Sequence, residues 1–186
     1  GWEIRTQIGH LYNQKPEDLF YDIAGEVGSI DTLSFDNYQQ LRLKVEQYAR
    51  LSDRFTFITQ LNAGINFNNN QAYLNYFNVG GINDFLRNQI TFVGLTEYQA
   101  LTNSITALML GLQYKPYNSL YTILRANVGV YDFAYQGSEN LDKGNFLSGY
   151  ALTVGYASSF GPIQLSAMYN DQSRDFAGYV NIGFHF

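Results

Sequence analysis

The sequence predicts an all-β fold made of long antiparallel strands. Two observations carry this prediction. Apolar and polar residues alternate with a period of two in segments of about ten residues. Connections rich in Asn, Asp, Gly and Ser separate these segments. Helical spacing of apolar residues is almost absent, and an aromatic content of 17% argues for a folded rather than a disordered chain.

The N-terminal part supplies four of about nine predicted strands. In residues 2–8, Ile4 and Ile8 share a face opposite Glu3 and Arg5. Residues 19–30 are predicted as the second strand, residues 41–46 as the third and residues 55–67 as the fourth. The polar face of the third strand is a row of charges formed by Arg42, Lys44 and Glu46.

The C-terminal part repeats the pattern in five further strands, at residues 108–114, 120–130, 148–156, 162–170 and 179–186. In the strand at 120–130, Leu124 and Val128 oppose Arg125 and Asn127, so polar groups occupy one face only. Glycines recur within the predicted strands, where we expect them to allow curvature or close packing against a loop. They are Gly25, Gly64, Gly111, Gly129, Gly149, Gly155 and Gly183.

Strand length and aromatic positions favour a membrane barrel over a soluble β-protein. A membrane barrel turns its apolar face outward to lipid and a soluble barrel turns it inward, so alternation alone fits both. Tilted membrane strands need about 9–11 residues, whereas soluble strands cluster near 5–6. Aromatic residues such as Phe55, Phe67 and Tyr114 lie at segment ends, as interfacial girdles do. Tight connections, as at residues 115–118, alternate with long ones at 68–101 and 134–146, which suits short periplasmic turns and longer external loops.

Composition excludes several other classes of protein. The chain has no cysteine, and therefore no disulfide framework, thiolate zinc site or cysteine nucleophile. Its net charge of −5 provides no basic surplus for a nucleic-acid partner. No apolar stretch reaches the roughly 18 residues that a membrane-spanning helix needs. Because Trp2 to Arg5 already alternate as inside a strand, we expect the chain to be cut from a longer protein.

Motifs in the C-terminal two thirds point to a family. From Thr106 the chain reads TALMLGLQYKPYNSLYTILRANVGVYDF, then GYALTVGYASSFGPIQLSAMYN and finally AGYVNIGFHF. Upstream, YFNVGG occupies residues 76–81 and ITFVGL residues 90–95. The C-terminal segments resemble the last five strands of the Omp85, or surface-antigen, superfamily, including its FGP(I/L) turn. YFNVGG resembles the entry to the long loop that in this superfamily folds back into the barrel lumen. ITFVGL is similar to the sequence found in the barrel attached to bacterial patatin-like phospholipases, especially those of Bacteroidetes.

The resemblance implies that residues 1–186 form a single domain, the C-terminal half plus one strand of a sixteen-stranded outer-membrane barrel. The odd number of predicted strands also indicates part of a larger barrel, because bacterial single-chain barrels have even strand numbers. Unpaired strand edges cannot face lipid, so the missing strands would come from an absent N-terminal portion or a second protomer.

Two motifs differ from the family pattern. The lumenal-loop Arg-Gly-Phe/Tyr motif of assembly factors such as BamA is replaced by INDF at residues 82–85, which argues against insertase activity. In the C-terminal assembly signal, Asn181 stands where the family has Gly, but the aromatic pair Phe184 and Phe186 is retained.

No catalytic, cofactor-binding or metal site is predicted, and no nucleophile elbow Gly-x-Ser-x-Gly occurs. The inward charges could line a conduction path or bind a ligand, but we favour a salt-bridge network that fills the lumen. Its predicted members are Arg42, Lys44, Glu46 and Arg125. In the long loop, Arg87 is predicted to lock the loop to an inward acid such as Glu26 or Glu46, with Asp84 as the equivalent acidic candidate.

The sequence therefore predicts a bacterial outer-membrane barrel that anchors, and helps to translocate, an attached patatin-like phospholipase domain. The expected partners are outer-membrane lipid, the barrel-assembly machinery during biogenesis, and the missing strands. A stand-alone small barrel with a porin-like or structural role is the first alternative, and it requires the first and last strands to pair in a regular ladder. A soluble ligand-binding β-barrel is the second, and it requires the apolar face to be buried.

Overall fold

The computed structural model describes residues 1–11, 20–23, 26–29, 38–67, 75–85, 88–133 and 145–183. The regular elements in these ranges are β-strands. No helix in the described part of the chain is long and apolar enough to cross a membrane. The strands are β1 (Trp2–Leu11), β2 (Phe20–Ile23), β3 (Glu26–Ser29), β4 (Tyr38–Arg50), β5 (Phe55–Asn66), β6 (Phe77–Val79), β7 (Gln89–Ile90), β8 (Ala100–Thr102), β9 (Ser104–Tyr114), β10 (Leu120–Tyr131), β11 (Asn145–Ser158), β12 (Gly161–Asn170) and β13 (Phe176–Ile182).

Eight of these strands form one large sheet in the order β1-β4-β5-β9-β10-β11-β12-β13. All neighbours in it pair antiparallel. Its strands are 10 to 14 residues long except for β13, which has 7. The all-β antiparallel prediction is confirmed. Within the described ranges the sheet is open, with β1 and β13 as its edges, so the ladder that a stand-alone barrel requires is not formed.

The two faces of the sheet differ sharply in polarity. Leu124 in β10 lies opposite Leu112 of β9 and Leu152 of β11, and these side chains are 59%, 39% and 51% exposed. The next residue, Arg125, turns to the opposite face. We call the leucine side the outer face and the Arg125 side the inner face. Because the apolar outer face is exposed, the soluble-barrel alternative, which needs this face buried, is wrong.

Aromatic side chains mark both ends of the strands. At the end with short connections, the rings of Phe55 and Tyr114 stack with centroids 4.8 Å apart. At the other end, Tyr169 contacts Phe176 at 4.7 Å. The connections at residues 51–54, 115–119 and 159–160 lie at the first end and have two to five residues. The other end carries the five-residue connection 171–175 and the two long connections, from β5 to β9 and from β10 to β11. This distribution of aromatic residues and connections is typical of outer-membrane barrels.

The prediction that residues 19–30 form one strand of the barrel sheet is wrong for the described part of this segment, because β2 and β3 do not join the large sheet. Instead β2 and β3 pair with each other in a two-stranded sheet, with Phe20 opposite Ser29 and Ile23 opposite Glu26. Two residues, Ala24 and Gly25, connect the two strands. A glycine in a two-residue connection is a common hairpin signal. The paired residues Ile23 and Glu26 share a face although they are three residues apart, so the phase of the alternation shifts by one residue at this reversal.

The long connection between β5 and β9 forms its own small sheet, in the order β7-β6-β8. We call its described part, residues 75–85 and 88–103, the docked loop. Its side chains Phe77, Val79, Ile90 and Phe92 are fully buried, and they cluster with residues of the large sheet that include Ile105. The main hydrophobic core therefore lies between the docked loop and the inner face, and the inner face is apolar where the loop covers it.

Candidate functional site on the inner face of the sheet

Glycines in the strands leave space against which the docked loop packs, and we call each such glycine position a seat. A Cβ atom built on Gly64 of β5 would lie 2.7 Å from Cζ of Phe77, so the ring occupies the space that any other residue would fill. Phe92 contacts Gly129 of β10 in the same way, with 3.1 Å between its ring and the position of a Cβ. Both rings are fully buried. These glycines act through close packing against the loop, one of the two roles predicted for them.

A third seat brings two backbones together. A Cβ atom on Gly149 of β11 would lie 2.1 Å from the carbonyl oxygen of Val93 in the docked loop. Next to it, Gly94 has a φ of +98° and approaches the carbonyl oxygen of Tyr169, which would lie 2.6 Å from a Cβ there. Because neither position has room for a Cβ, only glycine permits this contact between loop and sheet.

Polar side chains of β5 hold the middle of the docked loop. Thr91 Oγ1 accepts hydrogen bonds from Gln60 Nε2 at 3.2 Å and from Asn62 Nδ2 at 3.4 Å. All three residues are buried. Inside the loop, Gln89 Nε2 donates to the carbonyl oxygens of Gly80 at 2.8 Å and Asn83 at 2.9 Å, which fixes the turn that presents the next acidic residue.

That acidic residue, Asp84, ties the docked loop to the charged row of β4. Its Oδ2 lies 3.1 Å from Arg42 Nη2 and 3.8 Å from Lys44 Nζ. Lys44 is also 3.8 Å from Glu46, and Arg42 donates to the carbonyl oxygen of Gln89 at 2.5 Å. The side chains of this cluster are 15–27% exposed. The structure thus places the predicted row Arg42, Lys44 and Glu46 together, with an acid supplied by the loop.

Arg125 lies further along the inner face, in a different set of contacts. Its Nη1 donates to Thr153 Oγ1 at 2.8 Å, and that hydroxyl lies 2.8 Å from Ser166 Oγ. Tyr121, on the same strand, covers Gly155 and accepts a hydrogen bond from Gln164 Nε2 at 2.8 Å. These contacts extend a polar network from β10 to β12.

Several predicted residues cannot be compared with the structure. Arg87, Phe184 and Phe186 lie outside the described residues. In the last strand, Asn181 is buried on the inner side and its Nδ2 donates to Gln164 Oε1 at 3.3 Å. The contacts of Gln60, Asn62 and Thr91 were missed, and their only signal in the sequence was the polar side of an alternating strand.

A comparison with protein-family models matches residues 25–186 to the model described as the OMP85 superfamily. The chain belongs to the OMP85 superfamily. No curated protein and no solved structure matches it. Family membership, together with the exposed apolar outer face, indicates an outer-membrane β-barrel domain. In the described part of this OMP85 domain, no group of three or more His, Asp or Glu residues is arranged to hold a metal ion.

Asp84→Asn is expected to lower the free energy of unfolding of this OMP85 domain by about 1–3 kcal/mol, because the partly buried Arg42 loses its carboxylate partner and Lys44 loses one of two. The measurement is denaturant unfolding in lipid vesicles. Asp53→Asn is the matched control: Asp53 pairs with Arg50, but the two side chains are 93% and 73% exposed. We expect the control to change stability by less than about 1 kcal/mol. Equal effects of the two variants would contradict an anchoring role for Asp84.

Proposed function

We propose that this OMP85 barrel domain anchors a patatin-like phospholipase domain in the bacterial outer membrane and takes part in its translocation. The observation that carries the anchoring role is the continuous apolar outer face, on which Leu112, Leu124 and Leu152 lie side by side and exposed. Such a band partitions into acyl chains, while the antiparallel ladder satisfies the backbone groups that lipid cannot. Insertion would depend on the barrel-assembly machinery.

Several features support an anchor rather than an enzyme or an open pore. The chain has no Gly-x-Ser-x-Gly motif, so the phospholipase chemistry would belong to the attached domain. The docked loop covers much of the inner face through the seats at Gly64, Gly129 and Gly149. The similarity of ITFVGL at residues 90–95 to patatin-linked barrels supports the identity of the attached domain.

The two open edges of the sheet extend the proposal to partners. β1 and β13 each present a row of backbone N–H and C=O groups that is unpaired within the described residues. A membrane sheet needs these groups paired, because hydrocarbon offers no alternative hydrogen bonds. We infer that additional strands of the same parent protein, or of a second copy, complete the barrel.

The test uses the parent reading frame that contains this chain. We expect this reading frame to encode a Gly-x-Ser-x-Gly motif before residue 1. The phospholipase activity of the encoded protein should sediment with the outer membrane of a Gram-negative host. Deletion of residues 1–186 should move that activity to the soluble or periplasmic fraction. A parent without the motif, or activity that stays in the outer membrane after the deletion, would refute the proposal.

A further inference from the structure

A polar cleft of about 180 Å³ lies between the docked loop and the inner face. Its walls come from β4, β5, β9, β10 and the loop. Two basic and two acidic side chains line it, and amide groups lie between them. These polar lining residues are Lys44, Glu46, Asp84, Arg125, Gln60 and Asn127. Because the charges of the lining cancel, the cleft as a whole favours neither anions nor cations.

The two cations of this cleft are not equivalent. Lys44 lies 3.8 Å from both Glu46 and Asp84, so two carboxylates compensate it. None of the five ion pairs among the described residues includes Arg125. The described hydrogen bond of its guanidinium goes to a neutral hydroxyl, Thr153 Oγ1. Glu46, which also lines the cleft, interacts with Arg125 electrostatically but forms no ion pair with it. A partly buried guanidinium with no carboxylate at ion-pair distance is unusual, and its planar array of N–H groups matches a carboxylate ligand.

An acceptor without a partner lies beside this guanidinium. Asn127 is two residues from Arg125 on β10 and points to the same face. Its side chain is 2% exposed, and its Oδ1 accepts no hydrogen bond among the described residues. The residues opposite Asn127 and Arg125 on β9 are Met109 and Gly111, which offer no N–H or O–H from their side chains. Buried polar atoms normally have a hydrogen-bond partner, so we expect this oxygen to accept a hydrogen bond from a molecule bound in the cleft.

We propose that this cleft binds a small zwitterion of the α-amino acid type. Its carboxylate would accept hydrogen bonds from Arg125, and its ammonium group would donate to Asn127 Oδ1. A simple anion would bind only the guanidinium, and a simple cation would bind only the amide oxygen. A neutral polyol would leave Arg125 without an ion pair. The cleft has the volume of about six water molecules at roughly 30 Å³ each, which suits a small amino acid. This inference does not depend on the identity of any attached domain.

The experiment is equilibrium dialysis of the parent protein that contains this chain, purified in detergent, against isotope-labelled glycine. We expect saturable binding at one site per chain. Arg125→Gln and Asn127→Leu should each weaken it at least about tenfold. Arg54→Gln is the matched control, because Arg54 is exposed in the connection at residues 51–54 and does not line the cleft; it should bind glycine as the parent does. Electrophoretic heat-modifiability of each variant verifies that the barrel sheet is folded.

Competition with acetate, methylammonium and glycerol then identifies the ligand class. Each of them should displace glycine at least about tenfold less effectively than unlabelled serine does. Displacement by acetate as effective as by serine would overturn the proposal in favour of a simple anion site. Absence of saturable binding, or equal binding by the folded Arg125→Gln variant, would overturn it as well.

Discussion

Leu124→Arg is expected to lower the free energy of unfolding in lipid bilayers by about 2–4 kcal/mol. Leu124 lies near the middle of β10 on the outer face and is 59% exposed. In water, an arginine at such an exposed position would cost little, because its guanidinium would remain hydrated. In a bilayer the same group lies at the depth of the hydrocarbon, where hydration is lost.

Leu51→Arg is the matched control for Leu124→Arg. Leu51 is 62% exposed, almost as much as Leu124, but it lies in the short connection between β4 and β5. We expect this variant to change the free energy of unfolding by less than about 1 kcal/mol, because the connection lies outside the hydrocarbon. Denaturant unfolding in vesicles, followed by the fluorescence of the single tryptophan, Trp2, measures both variants. Equal stabilities would show that lipid does not contact the outer face.

Gly149→Ala is expected to detach the docked loop from the inner face. The added Cβ would lie 2.1 Å from the carbonyl oxygen of Val93. Since this neighbour is backbone, neither side can yield by a change of rotamer, and overpacking of this kind costs about 1–3 kcal/mol. The loop can avoid the clash by moving away from the sheet, which would expose its own residue Thr91, now 8% exposed against β5.

Cysteine labelling measures this movement, because the chain contains no cysteine of its own. In a Thr91→Cys background, Gly149→Ala should raise the rate of maleimide labelling by roughly fivefold to 150-fold, which corresponds to the loss of about 1–3 kcal/mol. Gly178→Ala is the matched control, because a Cβ there meets nothing within 4 Å. An unchanged labelling rate in folded Gly149→Ala would mean that the loop is not held at this seat.

The strands themselves were largely predictable from local pattern. The alternation of Leu124 and Val128 with Arg125 and Asn127 sets the two faces of β10, and the structure shows the same division. Residues 19–30 were the exception. Within β2 and within β3 the alternation is that of a strand, but the register places Ile23 opposite Glu26, so the phase shifts between them. That shift over two four-residue strands was not recognised in the sequence.

The contacts of the candidate site were predictable only in part. The charged row of β4 followed from alternation, and Asp84 was recognised as an acidic candidate for the loop, but nothing in the sequence paired it with Arg42, which is 42 residues away. Ile105 of β9 and Phe92 of the docked loop, both fully buried, belong to an apolar core on the inner side that the sequence analysis did not predict. The contacts between the docked loop and the large sheet depend on which segment of the loop packs against which strand.

The sequence by itself determined the all-β class, the membrane-facing side of each long strand and the positions of the tight turns, because these depend on neighbouring residues and a period of two. Only the tertiary structure decided where the docked loop lies, which glycines serve as its seats, and that Arg125 and Asn127 line a shared cleft. The physical reason is that these contacts join residues far apart in the chain. Their fit depends on volumes and distances of a few tenths of an ångström, which local pattern does not encode.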